Sequence, residues 1–291
     1  MRASVILPTK DRGPAIDATI EALLAQDLDD YEVVIVDNCS SPENAAGLRA
    51  WAARHPTKVR YVHEPALGLD NARNAGIRAA RAAVLAFLDD DAVAPSHWLR
   101  TLVQAFDDHP RAWAVGGGIV SRFTTPAPDW VDARLQVFLS DFRRGDRIET
   151  LHFDDYPRGA NMAFRREAFA TCGPFLDCLD RKGALLLSYG DIEMCHRVER
   201  SGHDVLWVPG ADVDHLIRGD RLTPEWFARR CYWQGRSEGL FERIHRGRLH
   251  QLRKLPYRLL RCVVSADRYK RMHHRGLVSA TLRTLLRTRF T

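Results

Sequence analysis

Three consecutive aspartates, Asp89, Asp90 and Asp91, directly follow the apolar run 84–88. Adjacent carboxylates repel one another unless a cation or ordered water offsets their charge. Mg²⁺ and Mn²⁺ take carboxylate oxygens and are often held by one or two carboxylates together with the phosphates of a substrate. The triplet therefore predicts a divalent metal site. The alternative is a cap for the helix that begins near Pro95, a role that would use only one of the three acids.

Two further strand ends are polar, in segment 8–11 and at Asp37-Asn38. Ligands of an open α/β sheet bind outside the carboxyl ends of its strands, so these segments and the aspartate triplet are expected to share a ligand. The chain has no Gly-x-Gly-x-x-Gly turn after the first strand and no Gly-x4-Gly-Lys-[Ser/Thr] loop to cradle phosphates. Phosphates would then be neutralised by the metal and by side chains, for which Arg73 and Asn74 are suitably placed. The alternative for Arg73 is a solvated position on a helix surface.

Short β-branched runs alternate with amphipathic stretches in the first hundred residues, the pattern of a parallel sheet covered by helices. The apolar run 32–36 is typical of a strand that is buried on both faces. Strands are predicted at 4–7, 32–36, 59–62 and 83–88, and helices from Gly13-Pro14 to about 24, over 43–54 and 70–81, and from Pro95 to about 108.

The second half of the chain is less regular. Segment 113–120 reads as a strand that glycines interrupt, where another backbone or a ligand could approach closely. Segment 123–156 reads as a long connection with one helix near 130–142. After this connection, regular hydrophobic patterns predict strands at 161–165, 204–208 and about 212–215, and a helix over 190–201.

Six ordered segments carry a resemblance to a known family. They are Ser-Val-Ile-Leu-Pro-Thr-Lys-Asp-Arg (4–12), Glu-Val-Val-Ile-Val-Asp-Asn-Cys-Ser (32–40), Gly-Leu-Asp-Asn-Ala-Arg-Asn-Ala-Gly (68–76), Phe-Leu-Asp-Asp-Asp (87–91), 158–169 and 190–197. Together they resemble the signatures of inverting family 2 glycosyltransferases over roughly residues 3–240. The resemblance implies an α/β fold of the GT-A type, a Rossmann-like mixed and mostly parallel sheet flanked by helices.

The resemblance also implies a site for a nucleotide-sugar, in the family most often linked to uridine diphosphate (UDP). Asp37 would hydrogen-bond the base, Asp89 would lie nearer the ribose or a metal-bound water, and Asp91, more than Asp89, would be the direct metal ligand. The residues implied around the donor are Pro8, Thr9, Asp11, Asp37, Arg73, Asp89 and Asp90. One departure is Lys10-Asp11, where the family commonly has Tyr-Asn.

The remaining implied roles concern the acceptor and the metal. Asp191 takes the position of the catalytic base, although Gly190 stands where the family usually has Glu. An acid that opens a helix is also a typical N-cap, and both roles are compatible. Asn161 lies in the acceptor-side segment, and His215 matches a late His that contacts the metal or diphosphate in some relatives; a structural His is the alternative.

A helix predicted after the six segments that resemble the family is rich in aromatic residues. Trp233, with Trp226, Phe227 and Tyr232, could stack on an acceptor sugar or belong to the core. The segment lacks the Gln-x-x-Arg-Trp element of processive members, so transfer of a single sugar per encounter is predicted. The resemblance thus predicts inverting, metal-dependent transfer from a nucleoside-diphosphate sugar to a sugar, lipid-linked or other hydroxyl acceptor.

The C-terminal segment differs from the rest in charge. From Arg243 to the end there are 14 Lys and Arg and one acid, Asp267, although the whole chain carries only +6. With leucines near helical spacing, this segment suits docking on anionic lipid or on an acidic partner; a solvated helix face is the alternative. No nucleic-acid motif accompanies the charge, so nucleic acid is not an expected partner.

These patterns divide the chain into a body, 1–242, and a basic helical extension, 243–291. Within the body, 1–115 would bind the nucleotide and 116–242 the acceptor. The absence of a long apolar run or signal sequence predicts a cytoplasmic protein, peripheral on the membrane if the extension binds lipid. Two alternatives remain: a nucleotidyltransferase, which the segment 8–13 fits poorly, and a non-catalytic carbohydrate-binding protein, which would not explain both the triplet and Asp191.

Overall fold

Four parallel strands form the first half of the main sheet, as the sequence predicts. A computed structural model describes the backbone of residues 1–286 and the side chains to residue 283, so residues 287–291 of the predicted extension lie outside the described residues. The strands are β1 (Ala3–Thr9), β2 (Tyr31–Asp37), β3 (Val59–His63) and β4 (Val84–Leu88), in the order β3-β2-β1-β4. Every residue of β1, β2 and β4 is buried, which explains their continuous apolar character.

Helices connect these strands and cover both faces of the sheet. They are α1 (Asp17–Leu24), after a 3-10 turn at Gly13–Ile16, and α2 (Pro42–Arg54), α3 (Leu69–Ala79) and α4 (Trp98–Asp108). Each lies close to its predicted range. The residue at the N-cap of α4 is His97, so the aspartate triplet does not cap this helix.

The second half of the sheet is mixed. Strand β9 (Asn161–Arg165) runs antiparallel between β4 and β6 (Ala112–Gly116), and β10 (Asp204–Trp207) follows with the edge strand β8 (Glu149–Thr150). The strand predicted at 113–120 is in fact two strands. After β6 the chain leaves the main sheet at Gly117, where a side chain would collide with the backbone of Ala211, so the predicted close approach of another backbone is confirmed.

A small second sheet lies beside the first and supports the aspartate triplet. It has the order β5-β11-β7, with β5 (Ala92–Val93), β7 (Ile119–Phe123) and β11 (Val213–Ile217). Strand β5 pairs with β11 so that Ala92 faces His215 across the ladder. The triplet and this histidine are thereby brought together from positions far apart in the sequence.

Three further helices precede the C-terminal part in the sequence. They are α5 (Ala133–Gln136), α6 (Arg166–Cys172) and α7 (Gly190–Arg200). The helix predicted near 130–142 is too long, because α5 continues only as a 3-10 turn to Leu139 and Ser140 adopts a left-handed backbone conformation (φ 69°). Helix α7 begins at Gly190, as predicted.

Two helices form the C-terminal part, α8 (Pro224–Val264) and α9 (Arg268–Leu286). Helix α8 breaks at Gly247 (φ 80°, ψ 175°), and its second half folds back on the first, since Nε2 of Gln251 donates to the carbonyl of Gly239 (2.5 Å). The predicted boundary at 242/243 therefore falls inside α8, just before the break. None of the helices in residues 1–286 combines the length and apolar character needed to span a bilayer.

Candidate active site

A cavity of about 850 Å³ opens at the carboxyl ends of β1 and β4. This volume lies within the range of small-molecule binding sites. The polar residues that line it come from both halves of the sheet and from α8 and α9, and include Thr9, Arg12, Arg73, Asp89, Asp90, Asp91, Arg181, Asp191, His215, Arg221, Arg230 and Lys270. The structure therefore brings most of the predicted site residues to one place.

Asp89, Asp91 and His215 form a cluster whose ligand atoms all lie within 4.8 Å of one another. The two carboxylates follow β4, and the histidine is supplied by β11 of the second sheet. Asp91 and His215 are buried, at 8% and 3% exposure. Two carboxylates and an imidazole are a donor set that divalent metals such as Mn²⁺ accept.

The hydrogen bonds of His215 support this fit. Its Nδ1 lies 3.0 Å from the carbonyl oxygen of Leu139, and its Nε2 lies 3.1 Å from Oδ1 of Asp91. Both neighbours are acceptors, whereas a neutral imidazole has only one N–H to donate. The ring must then carry two protons or share a cation with Asp91. Metal-ligating histidines typically donate their other N–H to a backbone carbonyl, as Leu139 allows here.

Several positive groups converge on Asp91. Arg12 pairs with this carboxylate, Nη2 of Arg221 lies 3.2 Å from its Oδ2, and His215 lies on its other oxygen. Burial alone would raise the pKa of Asp91, but these neighbours hold it below its usual range. In turn, although burial opposes it, the hydrogen bond to Asp91 raises the pKa of His215.

Asp90 is held differently from its two neighbours. Oγ1 of Thr9 donates to its Oδ2 (2.6 Å), and Nε of Arg12 lies 2.9 Å from its Oδ1. Burial raises the pKa of Asp90 despite the guanidinium of Arg12. The triplet thus contains two candidate metal ligands, Asp89 and Asp91, and a third acid that fixes the end of β1 and its loop.

The start of α3 places Arg73 in the wall of the cavity. Asp180 accepts the N–H of Asp70 (2.8 Å) and so fixes the first turn of the helix. Nη1 of Arg73 then donates to Oδ1 of Asp70 (3.0 Å), while its Nη2 lies 3.7 Å from Oδ1 of Asp89. Both partners of the Arg73–Asp70 pair are about 4–5% exposed. Burial raises the pKa of Asp70 to about 7, against the lowering influence of Arg73.

Asp191 lies in the first turn of α7 and lines the same cavity. Its Oδ2 accepts the N–H of Gly159 (2.7 Å), and its Oδ1 accepts the N–H of Ile192 (2.8 Å). A side chain at Gly159 would overlap the guanidinium of Arg73 and crowd Asp191, so any other residue here would require Arg73 to shift. Each carboxylate oxygen can still accept a proton through a second lone pair.

Two predicted donor residues do not line the cavity. Asp37 is 1% exposed, and its oxygens accept from the hydroxyl of Tyr61 (2.6 Å) and from the N–H of Ser40 (3.0 Å). Asp11 is exposed and accepts the N–H of Ser41 (2.6 Å) at the start of α2. In this conformation both side chains hold the loops that follow β1 and β2, and the nucleotide contacts predicted for them remain predictions.

The two residues predicted to contact the acceptor, Asn161 and Trp233, do not line the cavity. Asn161 is fully buried and donates to the carbonyls of Gly118 (2.9 Å) and Ala211 (2.7 Å), so its amide stabilises the junction of the two sheets. Trp233 lies outside the cavity wall, packed under the guanidinium of Arg236. Among the predicted aromatic residues, Trp226 lines the cavity.

Asn74, whose sequence position suits a contact with phosphates, does not line the cavity either. Its side-chain amide pairs with the backbone of Phe175, donating to the carbonyl (2.9 Å) and accepting the N–H (3.0 Å). It therefore anchors the segment after α6 to α3.

Several residues of the cavity wall are not predicted from the sequence. Arg12 and Arg221 act on the triplet, Arg181 interacts with the charges of Asp89 and Asp91, and Arg230 interacts with those of Arg181 and Asp191. Helix α9 contributes Lys270 and neighbours, although it lies in the predicted extension. Arg12 belongs to the matched segment 4–12 and could have been selected there; the others lie outside any recognisable pattern.

Comparison with known proteins is consistent with this geometry. The family model described as glycosyl transferase family 2 matches residues 4–173. A glucosyl-dolichyl phosphate glucuronosyltransferase from Haloferax volcanii is 27% identical over 254 residues, covering 84% of this chain and 79% of the relative. The succinoglycan biosynthesis protein ExoM of Rhizobium meliloti is 26% identical over 247 residues, covering 80% and 74%.

Solved structures share the fold at low identity. TarS from S. aureus superimposes with a TM-score of 0.55 at 17% identity, over 80% of this chain and 38% of TarS. GalNAc-T7 in complex with UDP, GalNAc and Mn²⁺ gives a TM-score of 0.57 at 16% identity, over 82% of this chain and 51% of its own. The chain thus spans about half or less of these two proteins. These likenesses confirm the predicted GT-A fold, with its helical C-terminal part.

Proposed function

The chain belongs to glycosyl transferase family 2, and on that premise we propose that it transfers a single sugar from a UDP-sugar to an acceptor hydroxyl with inversion at the anomeric carbon. The observation that carries this proposal is the shared cavity of the Asp89, Asp91 and His215 cluster and of Asp191. A carboxylate that can accept a proton and a group of metal ligands are the two components that a single displacement of a diphosphate needs.

The cluster would hold Mg²⁺ or Mn²⁺ through Asp91 and His215, with Asp89 on the side of the nucleotide-sugar. When bound, the ion supplies an electrophile that stabilises negative charge on the departing diphosphate. Arg12 and Arg221 already lie on this side of the cavity and add positive charge for the same phosphates. The chain's own residues thus neutralise the leaving group without a glycine-rich phosphate loop.

Asp191 is the proposed base. The oxygen of the acceptor hydroxyl forms its bond to the anomeric carbon while the bond from that carbon to the diphosphate breaks. The hydroxyl proton passes to the carboxylate of Asp191, and UDP leaves with the electron pair. The N–H groups of Gly159 and Ile192 fix the orientation of this carboxylate and stabilise its charged form. No covalent intermediate is required.

The proposed donor site lies along β1 and α3. Pro8 and Thr9 form the wall beside the triplet, and Arg73 lies next to Asp89. The choice of UDP is supported by the family resemblance and by GalNAc-T7, whose structure contains UDP and Mn²⁺. Residues 1–115 would accordingly bind the donor and residues 116–242 the acceptor, with α9 completing the wall.

A lipid-linked sugar is the proposed acceptor. The name of the Haloferax volcanii relative describes a glucosyl-dolichyl phosphate substrate. In this chain, the second half of α8 presents an apolar face to solvent, which includes Leu249, Tyr257, Leu260 and Val263 at 57–79% exposure. These positions share one side of the helix, and basic residues surround them, so the face matches the charge and polarity of an anionic lipid surface.

Donor hydrolysis tests the proposal directly. A panel of UDP-, GDP- and dTDP-sugars would be incubated with the protein and Mn²⁺, and release of free nucleoside diphosphate would be measured with and without EDTA. We expect release from UDP-sugars, abolished by EDTA. Release that persists undiminished in EDTA would exclude the metal, and release from none of the donors would contradict the proposal.

A further inference from the structure

Three side chains already engage the carboxylate of Asp91. Its Oδ1 lies 3.1 Å from Nε2 of His215, and its Oδ2 pairs both with Nη2 of Arg12 and with Nη2 of Arg221 (3.2 Å). Asp91 is only 8% exposed, so little water can take part in these contacts. A carboxylate oxygen has two lone pairs, and two guanidinium groups can use both. A cation that binds Asp91 must therefore compete with an arginine, for the same oxygen or through repulsion across the carboxylate.

Arg12 bridges two acids of the triplet. While its Nη2 pairs with Asp91, its Nε lies 2.9 Å from Oδ1 of Asp90. This Nε nevertheless makes no hydrogen bond within the described part of the chain, because its N–H does not point at that oxygen. A guanidinium can donate two parallel hydrogen bonds to one anion, and here its donors are split between two carboxylates. The contact with Asp90 can keep the side chain near the triplet when Nη2 leaves Asp91.

The loop that carries Arg12 is fixed independently of the triplet. The neighbouring Asp11 donates its N–H to Oγ of Ser40 (3.0 Å) and accepts from the N–H of Ser41 (2.6 Å) and from the amide of Asn44 (3.2 Å). The backbone of Arg12 itself has ordinary helical angles (φ −79°, ψ −24°). A change of partner at Arg12 thus requires only rotation about side-chain bonds and leaves the loop in place.

The charges around the triplet make such a change of partner most favourable when phosphates are present. Arg12 and Arg221 offset most of the negative charge of the three carboxylates, and Arg73 lies 3.7 Å from Asp89. A divalent cation that entered alone would meet these guanidinium groups at short range in a largely buried site, where repulsion is strong. The diphosphate of a nucleotide-sugar brings negative charge and oxygens that a displaced guanidinium can bind with two hydrogen bonds.

We propose that Arg12 is an exchangeable counter-ion: it neutralises Asp91 until a divalent cation binds there, and it then moves to the diphosphate that binds with the cation. The inference rests on the proposed function, because it takes the cluster of Asp89, Asp91 and His215 as the metal site. It adds that the chain opposes binding of the metal alone and favours joint binding of metal and nucleotide. By linkage, Mn²⁺ and UDP then each raise the affinity of the protein for the other.

Calorimetric titration of Mn²⁺, with and without saturating UDP, measures this exchange. Arg12→Gln should tighten the binding of Mn²⁺ alone about tenfold, because the competing ion pair disappears. The same variant should weaken UDP binding at saturating Mn²⁺ about 10- to 100-fold, the usual effect of losing hydrogen bonds between charged groups. A purely structural role of Arg12 would weaken the binding of both ligands, so the opposite signs are the signature of the exchange.

Two further variants complete the design. Arg12→Lys keeps a charge beside Asp91 but loses the planar guanidinium, so Mn²⁺ alone should bind nearly as in the unaltered protein while UDP binds more weakly. Lys10→Gln is the matched control, because it removes the same charge from the same loop. Nζ of Lys10 contacts Asp11 (2.8 Å) and the carbonyl of Cys39 (2.7 Å) rather than the triplet. Screening by salt should keep the effects of Lys10→Gln on both affinities small.

Three outcomes would overturn the inference: an affinity for Mn²⁺ alone that Arg12→Gln leaves unchanged or weakens, an unchanged UDP affinity in that variant, or shifts of the same size in Lys10→Gln. Failure of the unaltered protein to bind Mn²⁺ even with UDP present would contradict the proposed function, and this inference with it. Melting curves identify a variant that has lost its fold, and such a variant could not bind Mn²⁺ more tightly than the unaltered protein.

Discussion

The carboxylate of Asp70 occupies the space into which a side chain at Gly190 would project. The two residues belong to different elements, α3 and α7, and both line the cavity together with Arg73 and Asp191. The family resemblance predicts a Glu at position 190, where this chain has Gly. The structure offers a physical account, because Asp70, from the same helix as Arg73, already supplies a carboxylate to this guanidinium and fills the space next to Gly190.

Moving the carboxylate from position 70 to position 190 tests this explanation of the glycine. Gly190→Glu alone should abolish activity or folding, because its side chain would collide with Asp70 and place two carboxylates together. Asp70→Ser alone should leave the buried Arg73 with only the more distant carboxylate of Asp89 (3.7 Å), at a cost of up to about 3–5 kcal/mol of unfolding free energy. The double variant Asp70→Ser with Gly190→Glu should recover much of both losses.

A double-mutant cycle on urea unfolding and donor hydrolysis measures the coupling. Gly202→Glu is a matched control for the added charge, since nothing lies near a side chain at that exposed turn, although its φ of +86° adds some strain. Additive effects of Asp70→Ser and Gly190→Glu would show that the two positions do not compensate.

The pKa of Asp70 gives a pH dependence with a defined sign. Burial raises this pKa to about 7, above the ordinary 3.8, so the folded state holds the proton more tightly than the unfolded state. The contribution to stability is therefore present at low pH and is lost as the pH rises from about 4 to about 7, at up to about 1.4 kcal/mol per unit. Asp70→Asn should flatten this part of the profile.

Urea unfolding of both proteins between pH 4.5 and 7.5 provides the measurement. Asp204→Asn, at a partly exposed carboxylate away from the cavity, is the control and should leave the slope unchanged. A slope that Asp70→Asn leaves intact would mean that another group titrates.

The sequence predicts the elements of this fold better than their contacts. Periodicity finds β1, β2, β4 and α3 because each has one clear pattern of burial. It does not tell whether a polar residue binds a ligand or satisfies backbone groups, and Asn161 therefore looks like a binding residue although its amide joins two sheets. Periodicity also does not reveal that α9 lines the cavity, because a basic helix that packs against the body can have the same composition as one that lies in solvent.

Removal of metal ligands should affect ion binding before it affects the fold. His215→Asn and Asp91→Asn are expected to weaken Mn²⁺ binding by at least about tenfold in calorimetric titrations, because each removes a donor atom of the cluster. His152→Asn, on an exposed side chain outside the cavity, should leave it unchanged. Unaltered Mn²⁺ affinity in both ligand variants would mean that the cluster does not hold the ion.

Asp191→Asn should separate chemistry from donor binding. The amide oxygen can still accept the N–H of Gly159, which keeps the loop attached, but the amide cannot take a proton and its NH2 group no longer accepts the N–H of Ile192. We expect turnover to fall at least about a hundredfold while the affinity for the UDP-sugar stays near that of the unaltered protein. Asp146→Asn, in the exposed segment before β8, is the control. Unchanged turnover in Asp191→Asn would remove this residue from the mechanism.

Substitutions on the apolar face of α8 test the proposed contact of this face with a membrane. A deletion of the whole extension would not serve, because it would also remove α9 from the cavity wall. Leu249→Ser, Leu260→Ser and Val263→Ser together should lower binding to anionic vesicles by at least about tenfold, because each side chain is mostly exposed in the free protein and could transfer to lipid. Co-sedimentation with vesicles of phosphatidylglycerol and phosphatidylcholine provides the measurement. Ile148→Ser, an exposed apolar residue elsewhere, is the control. Because the basic surroundings should favour anionic lipid, binding should weaken with added salt; equal sedimentation of the triple variant and the unaltered protein would exclude this face as a membrane contact.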